Sequence, residues 1–378
     1  MTGKTTTDVH SAEQMSLQRW RALARDRCAL CGLSVFTQIF IGMAFYLYDH
    51  VSTPGYLSIL LTIPFALVLM LLARGTALKA GEQAEVISFA AGKRGTKPVL
   101  FFFLVLHLFN AQLIFVSLCA MLLDTMPDHS LWKMALLIAL ALALANSGRQ
   151  EEALTRLARF LKWIIFALLL YAVLASAPHG RAAHFFPVFG YGWKSIANGA
   201  LWMCGAVSGC VWPWLAPQNK QALSPLLAKR HVIIKPILLS ILAGCAMMMV
   251  SVWLMPLYAM ARDETLGWRL LLLTNMTPSI PAWSMETVGL LLLFFLALSD
   301  SANQVSILTA RLAGKRDASG WITLLILLLL LPIAVIQDGF LLNRLTRWAF
   351  WRGPATLIVL LFLRIGSALH NGKKENSV

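Results

Sequence analysis

Residues Phe185 to Gln218 read FFPVFGYGWKSIANGALWMCGAVSGCVWPWLAPQ, and this stretch decides the fold. It is apolar enough to cross a bilayer. Yet it carries Gly190, Gly192, Gly199, Gly205 and Gly209, together with Pro187, Pro213 and Pro217. Glycine and proline are tolerated in a membrane helix where the freed backbone groups face protein or a water-filled cavity. Interrupted helices near the bilayer midplane are where secondary transporters bind substrate. The Gly205–Gly209 pair also has the GxxxG spacing of helix–helix contacts, so packing and binding are both open readings of it.

The composition points the same way. The 378 residues are 58% hydrophobic and only 13% charged, with a mean hydropathy of +0.71. Soluble domains carry about 25% charged residues. The chain is expected to be an all-α integral membrane protein. Apolar runs of about 20 residues, the length a bilayer requires, fall near 29–48, 53–73, 98–122, 131–146, 160–177, 194–217, 232–256, 285–304, 321–337 and 353–369. These are ten spans. With the N-terminus in the cytoplasm, the inner segments hold about three times as many of the 32 Lys and Arg residues as the outer ones. That is the positive-inside pattern, and it places both termini in the cytoplasm. The formal net charge of +15 is thereby assigned to the cytoplasmic face and its anionic lipid. No aromatic–basic motif, isolated basic domain or zinc-finger spacing points to nucleic acid.

The expected organisation is a cytoplasmic segment (1–28), a transmembrane domain (29–369) and a cytoplasmic tail (370–378). The domain divides into halves of five spans, 29–177 and 178–369. An odd number of spans per half makes the halves face opposite ways across the membrane. That is the five-plus-five inverted repeat of transporters, with helices 1 and 6 broken at the site. Gly42 in span one and Gly205 in span six are matched in this respect. The inference comes from count and orientation, since no repeat is visible in the residues themselves. Residues 257–282 are too long for a bare loop, and 266–274 could lie flat on the surface.

Four stretches resemble the spore-germination permeases, the B-type subunits of nutrient germinant receptors in the amino acid–polyamine–organocation superfamily. Phe186-Pro187-Val188 followed by Gly192, Ile196 and Gly199-Ala200-Leu201 is similar to that family's entry to its sixth helix. Ala91-Gly92-Lys93-Arg94-Gly95 resembles its GKxxG region with one residue fewer. Glu152 to Ala158 resembles its ExxxRLA helix, and Tyr56-Leu57-Ser58 opens the second span in a similar way. The resemblance covers nearly the whole chain. It departs in span eight, where Asp300 is the ionisable group and the family usually has a basic one.

The resemblance implies a small nutrient ligand, such as an amino acid, held at the breaks of spans one and six. It also implies partnership with the other germinant-receptor subunits, in the inner membrane of a spore or a bacterial plasma membrane. Ligand-binding candidates are Gln38, Gly42, Gly205, Ser208 and Gly209, with Trp202 closing one wall or simply packing. A helix N-terminus at such a break favours an anion. Asn110 lies at mid-depth of span three, one turn beyond His107, and must find a partner, either a ligand or a neighbouring helix. Asp300 is the candidate ion-coupling residue, because an intramembrane carboxylate is expensive; its alternative is a place at the inner interface. A proton-coupled amino-acid symporter or exchanger of the same fold is a second reading, and a non-binding membrane scaffold a third. The six cysteines are scattered, and the single CxxC, Cys28 to Cys31, is a weak metal signal. No nucleophile elbow, phosphate-binding loop or metal-ligand cluster is present, so no catalysis, metal or cofactor is expected.

Overall fold

The computed structural model describes residues 26–80, 85–125, 151–176, 178, 180–186, 188–215, 231–254, 285–314 and 339–375. Among these residues the secondary structure is helical, with no strand. A chain this apolar has no water to satisfy its backbone in the bilayer, and the helix satisfies it internally. The helices are α1 (26–50), α2 (Gly55–Ala80), α3 (Val86–Thr125), α4 (Glu151–Ser176), α5 (193–215), α6 (His231–Leu254), α7 (Met285–Leu312) and α8 (Gly339–Glu375). They correspond in order to expected spans one, two, three, five, six, seven, eight and ten. The expected spans at 131–146 and 321–337 lie outside the described residues, as do 257–282 and both chain ends.

Several helices outrun their expected spans. The basic stretch before span five is continuous with it in α4, and α2 runs on to Ala80. At Gly92 the backbone leaves helical geometry (φ 69°, ψ 173°), which only a residue without Cβ adopts easily. That kink separates the short helix before span three from the span itself. The largest revision is α8. Span ten was expected over 353–369, the apolar run alone. The helix instead begins at Gly339, carries Pro354 in its interior and continues to Glu375.

The helix at the centre is α1. Val35, Phe36, Ile39, Phe40, Ile41 and Met43 are all buried, so the helix is surrounded by others, as a core helix is. Its neighbours approach closely. The Ser240 hydroxyl of α6 donates to the Gly32 carbonyl at 2.7 Å. Phe40 meets Phe294 of α7 edge-on, ring centroids 6.5 Å apart. Around it α7 packs along α3 and α4, while α8 packs along α5, α3 and α2. Exposed apolar side chains form the outside: Phe160 and Trp163 on α4, Ile358 and Ile365 on α8. A surface of that kind is solvated by lipid.

The expected breaks are changes of winding. In α1 the residues Met43–Leu47 form a π turn, closed by the Tyr48 N–H donating to the Met43 carbonyl. Such wide turns are rare and concentrate at functional sites. In α5 the α-helix Trp193–Val207 tightens to a 3₁₀ turn at Ser208–Val211 and resumes at Trp212–Leu215. The two irregular turns therefore begin immediately after Gly42 and three residues after Gly205.

Candidate functional site

One end of the bundle carries the N-terminus of α1, the start of α3 and the C-terminus of α7. There Arg311 Nη1 lies 3.0 Å from Glu85 Oε1, tying α7 to α3. Arg159 Nε lies 3.8 Å from Asp26 Oδ1, tying α4 to α1. A cavity begins at this end and runs inward between α1, α3, α5 and α7. It is narrow, with an interior volume of about 30 Å³. Arg27, Cys31, Ser34 and Gln38 line it from α1, and His107 and Asn110 from α3. Ala206 and Gly209 line it from α5, and Asp300, Ser301, Asn303 and Gln304 from α7.

This lining sorts the expected site residues. Gln38, Asn110, Gly209 and Asp300 come together on the cavity. Gln38 and Asn110 are also the midspan polar pair of α1 and α3, and both are buried. Asp300 projects inward, where it accepts a hydrogen bond from Gln304 Nε2 at 3.3 Å. Helical spacing explains the cluster: Ser301, Gln304 and Asp300 fall on one face because residues three and four apart are neighbours.

Gly42, Trp202, Gly205 and Ser208 are not in the lining. A Cβ on Gly42 would stand 2.2 Å from the Trp202 ring, so this glycine exists to let the indole lie on α1. A Cβ on Gly205 would stand 2.5 Å from the Ala349 carbonyl of α8. One on Gly353 of α8 would stand 3.1 Å from the Gly205 nitrogen, so the two glycines form a close helix crossing. Gly209 differs, since its Cβ would meet only Asn110 Nδ2, at 3.6 Å. The GxxxG pair thus divides, one residue to packing and the other to the cavity wall. Ser208 is wholly buried, and its hydroxyl donates to the Gly205 carbonyl at 2.6 Å.

Beyond the inner end of the cavity the bundle is filled by aromatic rings. Trp202 stacks on Tyr46 with centroids 6.1 Å apart and planes 10° from parallel. Tyr46 stacks in turn on His50 at 4.4 Å and meets Phe350 edge-on at 5.0 Å. Trp202 has no exposed surface at all. Trp202 packs on Tyr46 and over Gly42, off the cavity lining.

The residue missed from the sequence is Arg352. It was counted among the outer charges, and it is 6% exposed. Its Nη1 donates to Gln38 Oε1 at 3.1 Å and to Asn110 Oδ1 at 2.5 Å. The guanidinium carbon lies 5.2 Å from the Phe109 ring centroid and 5.6 Å from that of Trp202. Three helices, α1, α3 and α8, therefore meet on one cation. A signal was present: Ala349, Arg352, Thr356, Leu360, Leu363 and Ser367 recur at helical spacing, and all are buried.

No protein-family model matches this sequence, and a search of curated proteins finds no match. Solved structures do match. The chain is similar to the Eremococcus coleocola manganese transporter in complex with an aromatic bis-isothiourea substituted compound. The TM-score is 0.53 at 13% identity, over 98% of this chain and 89% of that one. Two mutants of the same transporter superpose with TM-scores of 0.43 and 0.42 at 12% identity, over 98% of this chain and 97% of theirs, and nothing is built on them. At such identity the likeness shows the fold: an all-α membrane transporter fold, in an integral multi-pass membrane protein.

Proposed function

We propose that this protein binds a small organic nutrient such as an amino acid in the cavity, as the membrane subunit of a spore nutrient germinant receptor. The observation that carries the binding reading is the cavity itself. It is bounded by the irregular turn of α5 and lined by Gln38, Asn110, Gly209 and Asp300 from four different helices. A pocket with a few convergent polar groups between helices is the usual form of a small-ligand site. The neighbour of known structure is named as a manganese transporter. In this chain the described residues bring no three of His, Cys, Asp and Glu together, so the donors suit an organic solute better than a divalent cation. The receptor assignment draws on the sequence resemblance, and it implies partner subunits beside the lipid.

The presence of Asp300 on the cavity supports a second reading, a proton-coupled symporter or exchanger. The two are separated by reconstituting the purified protein in liposomes with labelled L-amino acids. Saturable binding without accumulation is the outcome expected of the receptor subunit. Accumulation driven by a pH gradient and lost in Asp300→Asn would replace it with the symporter. Neither binding nor uptake, with partner subunits still co-purifying, would leave a scaffold.

A further inference from the structure

We propose that Arg352 is the anion anchor of this cavity and that its ligand carries a carboxylate, which takes the Nε–Nη2 edge of the guanidinium. The inference deepens the binding reading above and depends on it.

The argument begins with which atoms are satisfied. Arg352 spends Nη1 on two side-chain oxygens, from Gln38 and Asn110, and neither oxygen carries a charge. Its Nε and Nη2 are buried and have no hydrogen-bond partner. Among the described residues Arg352 makes no ion pair. Two aromatic rings within 6 Å supply cation–π attraction, but a ring face accepts no fork of hydrogen bonds.

The geometry of the unused edge is specific. Nε–H and one Nη2–H point the same way in a fixed plane, spaced to match the two oxygens of a carboxylate. A point anion or a single carbonyl would leave one of them unmet. Two further buried nitrogens nearby also lack acceptors: Nε2 of Gln38, which is bonded to Arg352, and Nε1 of Trp202, against whose ring Arg352 lies. These unmet atoms on and beside Arg352 are all donors and are short of an acceptor that carries negative charge; the unmet acceptor on the cavity, Gln304 Oε1, belongs to the α7 wall.

The edge lies behind the cavity wall, against α5. A Cβ on Gly205 would stand 3.2 Å from Arg352 Nε, so α5 approaches that nitrogen closely because the residue there has no side chain. The next residue, Ala206, lines the cavity, as do both amides held by Nη1. Arg352 thus stands one layer behind a wall made by its own partners. Asp300 and Arg27 also line the cavity, so a zwitterion such as an amino acid meets both signs of charge there.

The test uses the full-length protein purified in detergent. Thermal stabilisation is measured with each proteinogenic L-amino acid, with acetate and succinate, with the amide of every amino acid that stabilises, with neutral sugars, with putrescine and with inorganic phosphate. At least one carboxylate should stabilise the wild type, and its amide should bind about 10- to 100-fold more weakly, the range for a charged hydrogen-bonded pair. Arg352→Lys keeps the charge but loses the fork, so it should weaken the acid more than the amide and narrow the gap between them. The acid–amide comparison on the wild type stands even if the variant fails to fold. Acid and amide binding equally well would overturn the anchor and leave the cavity reading intact, as would stabilisation by sugars or putrescine alone. Phosphate stabilising as well as any carboxylate would overturn the choice of carboxylate. Stabilisation by nothing in the series would overturn both the anchor and the binding reading.

Discussion

A guanidinium taken out of water loses several kcal/mol of solvation that two neutral oxygens do not restore in full. Arg352 is therefore a residue at which stability and binding pull apart. Replacing every member of a buried charged cluster by apolar groups of similar volume is often neutral, or stabilising by about 1–4 kcal/mol, whereas removing one member leaves its partners unmet. We expect the triple variant Gln38→Leu, Asn110→Leu, Arg352→Met to unfold no earlier than the wild type in a detergent denaturation series while losing carboxylate binding. Asn110→Leu alone should do the opposite to stability. It strips a charged donor of an acceptor, at about 1.5–3 kcal/mol, against about 0.6 kcal/mol for an average interhelical hydrogen bond in a membrane. A lower midpoint for the triple variant than for Asn110→Leu alone would show that the junction is there for structure. In the sequence, Gln38 and Asn110 were legible because each is polar in the middle of an apolar span. The helical spacing that includes Arg352 was overridden, because Gly353-Pro354 beside it reads as a helix start and puts any preceding charge in water. That pattern describes local propensity, and the packing of α8 against α1 and α3 overrides it.

At the scale of elements, the glycines of α1 and α5 separate contact from function. Alanine at Gly42 must displace an indole ring, and alanine at Gly205 must displace the backbone of α8. Each should cost about 1–3 kcal/mol, as overpacking does. Alanine at Gly209 meets one amide nitrogen at an ordinary distance, so its melting temperature should stay near that of the wild type and its ligand affinity should fall. Equal destabilisation at all three positions would mean that the GxxxG pair is one packing motif. The density of Gly and Pro in 185–218 announced that α5 would be irregular. It did not announce how. A helix can relieve strain by unwinding, tightening or widening, and the side chains that choose between these come from other helices. The indole of Trp202 over Gly42 and the crossing of Gly205 with Gly353 are contacts between residues far apart in sequence, and no local pattern encodes them.

The whole molecule is asymmetric about its midplane, with a cavity open through one half and an aromatic stack filling the other. If the positive-inside reading holds, the open half is cytoplasmic. Ser34→Cys, on the cavity wall, should then react with a membrane-impermeant thiol reagent in inside-out vesicles and stay protected in right-side-out ones. Labelling in right-side-out vesicles alone would invert the topology. This asymmetry could not be read from span lengths, which are nearly the same in both halves. It comes from which side chains stand at the ends of α1, the polar face near Arg27 to Gln38 against the rings of Tyr46 and His50.

The junction on Arg352 also has a history during synthesis. Gln38 and Asn110 precede it in the chain by 314 and 242 residues. At about 5–20 residues per second, roughly ten seconds to a minute of translation separates them from their cation. Through that interval two amide side chains sit in the forming bundle without the donor that later holds them. They must borrow partners from lipid headgroups, insertion machinery or each other. The arrival of α8 ends the wait, so this junction is among the last contacts of the bundle to form.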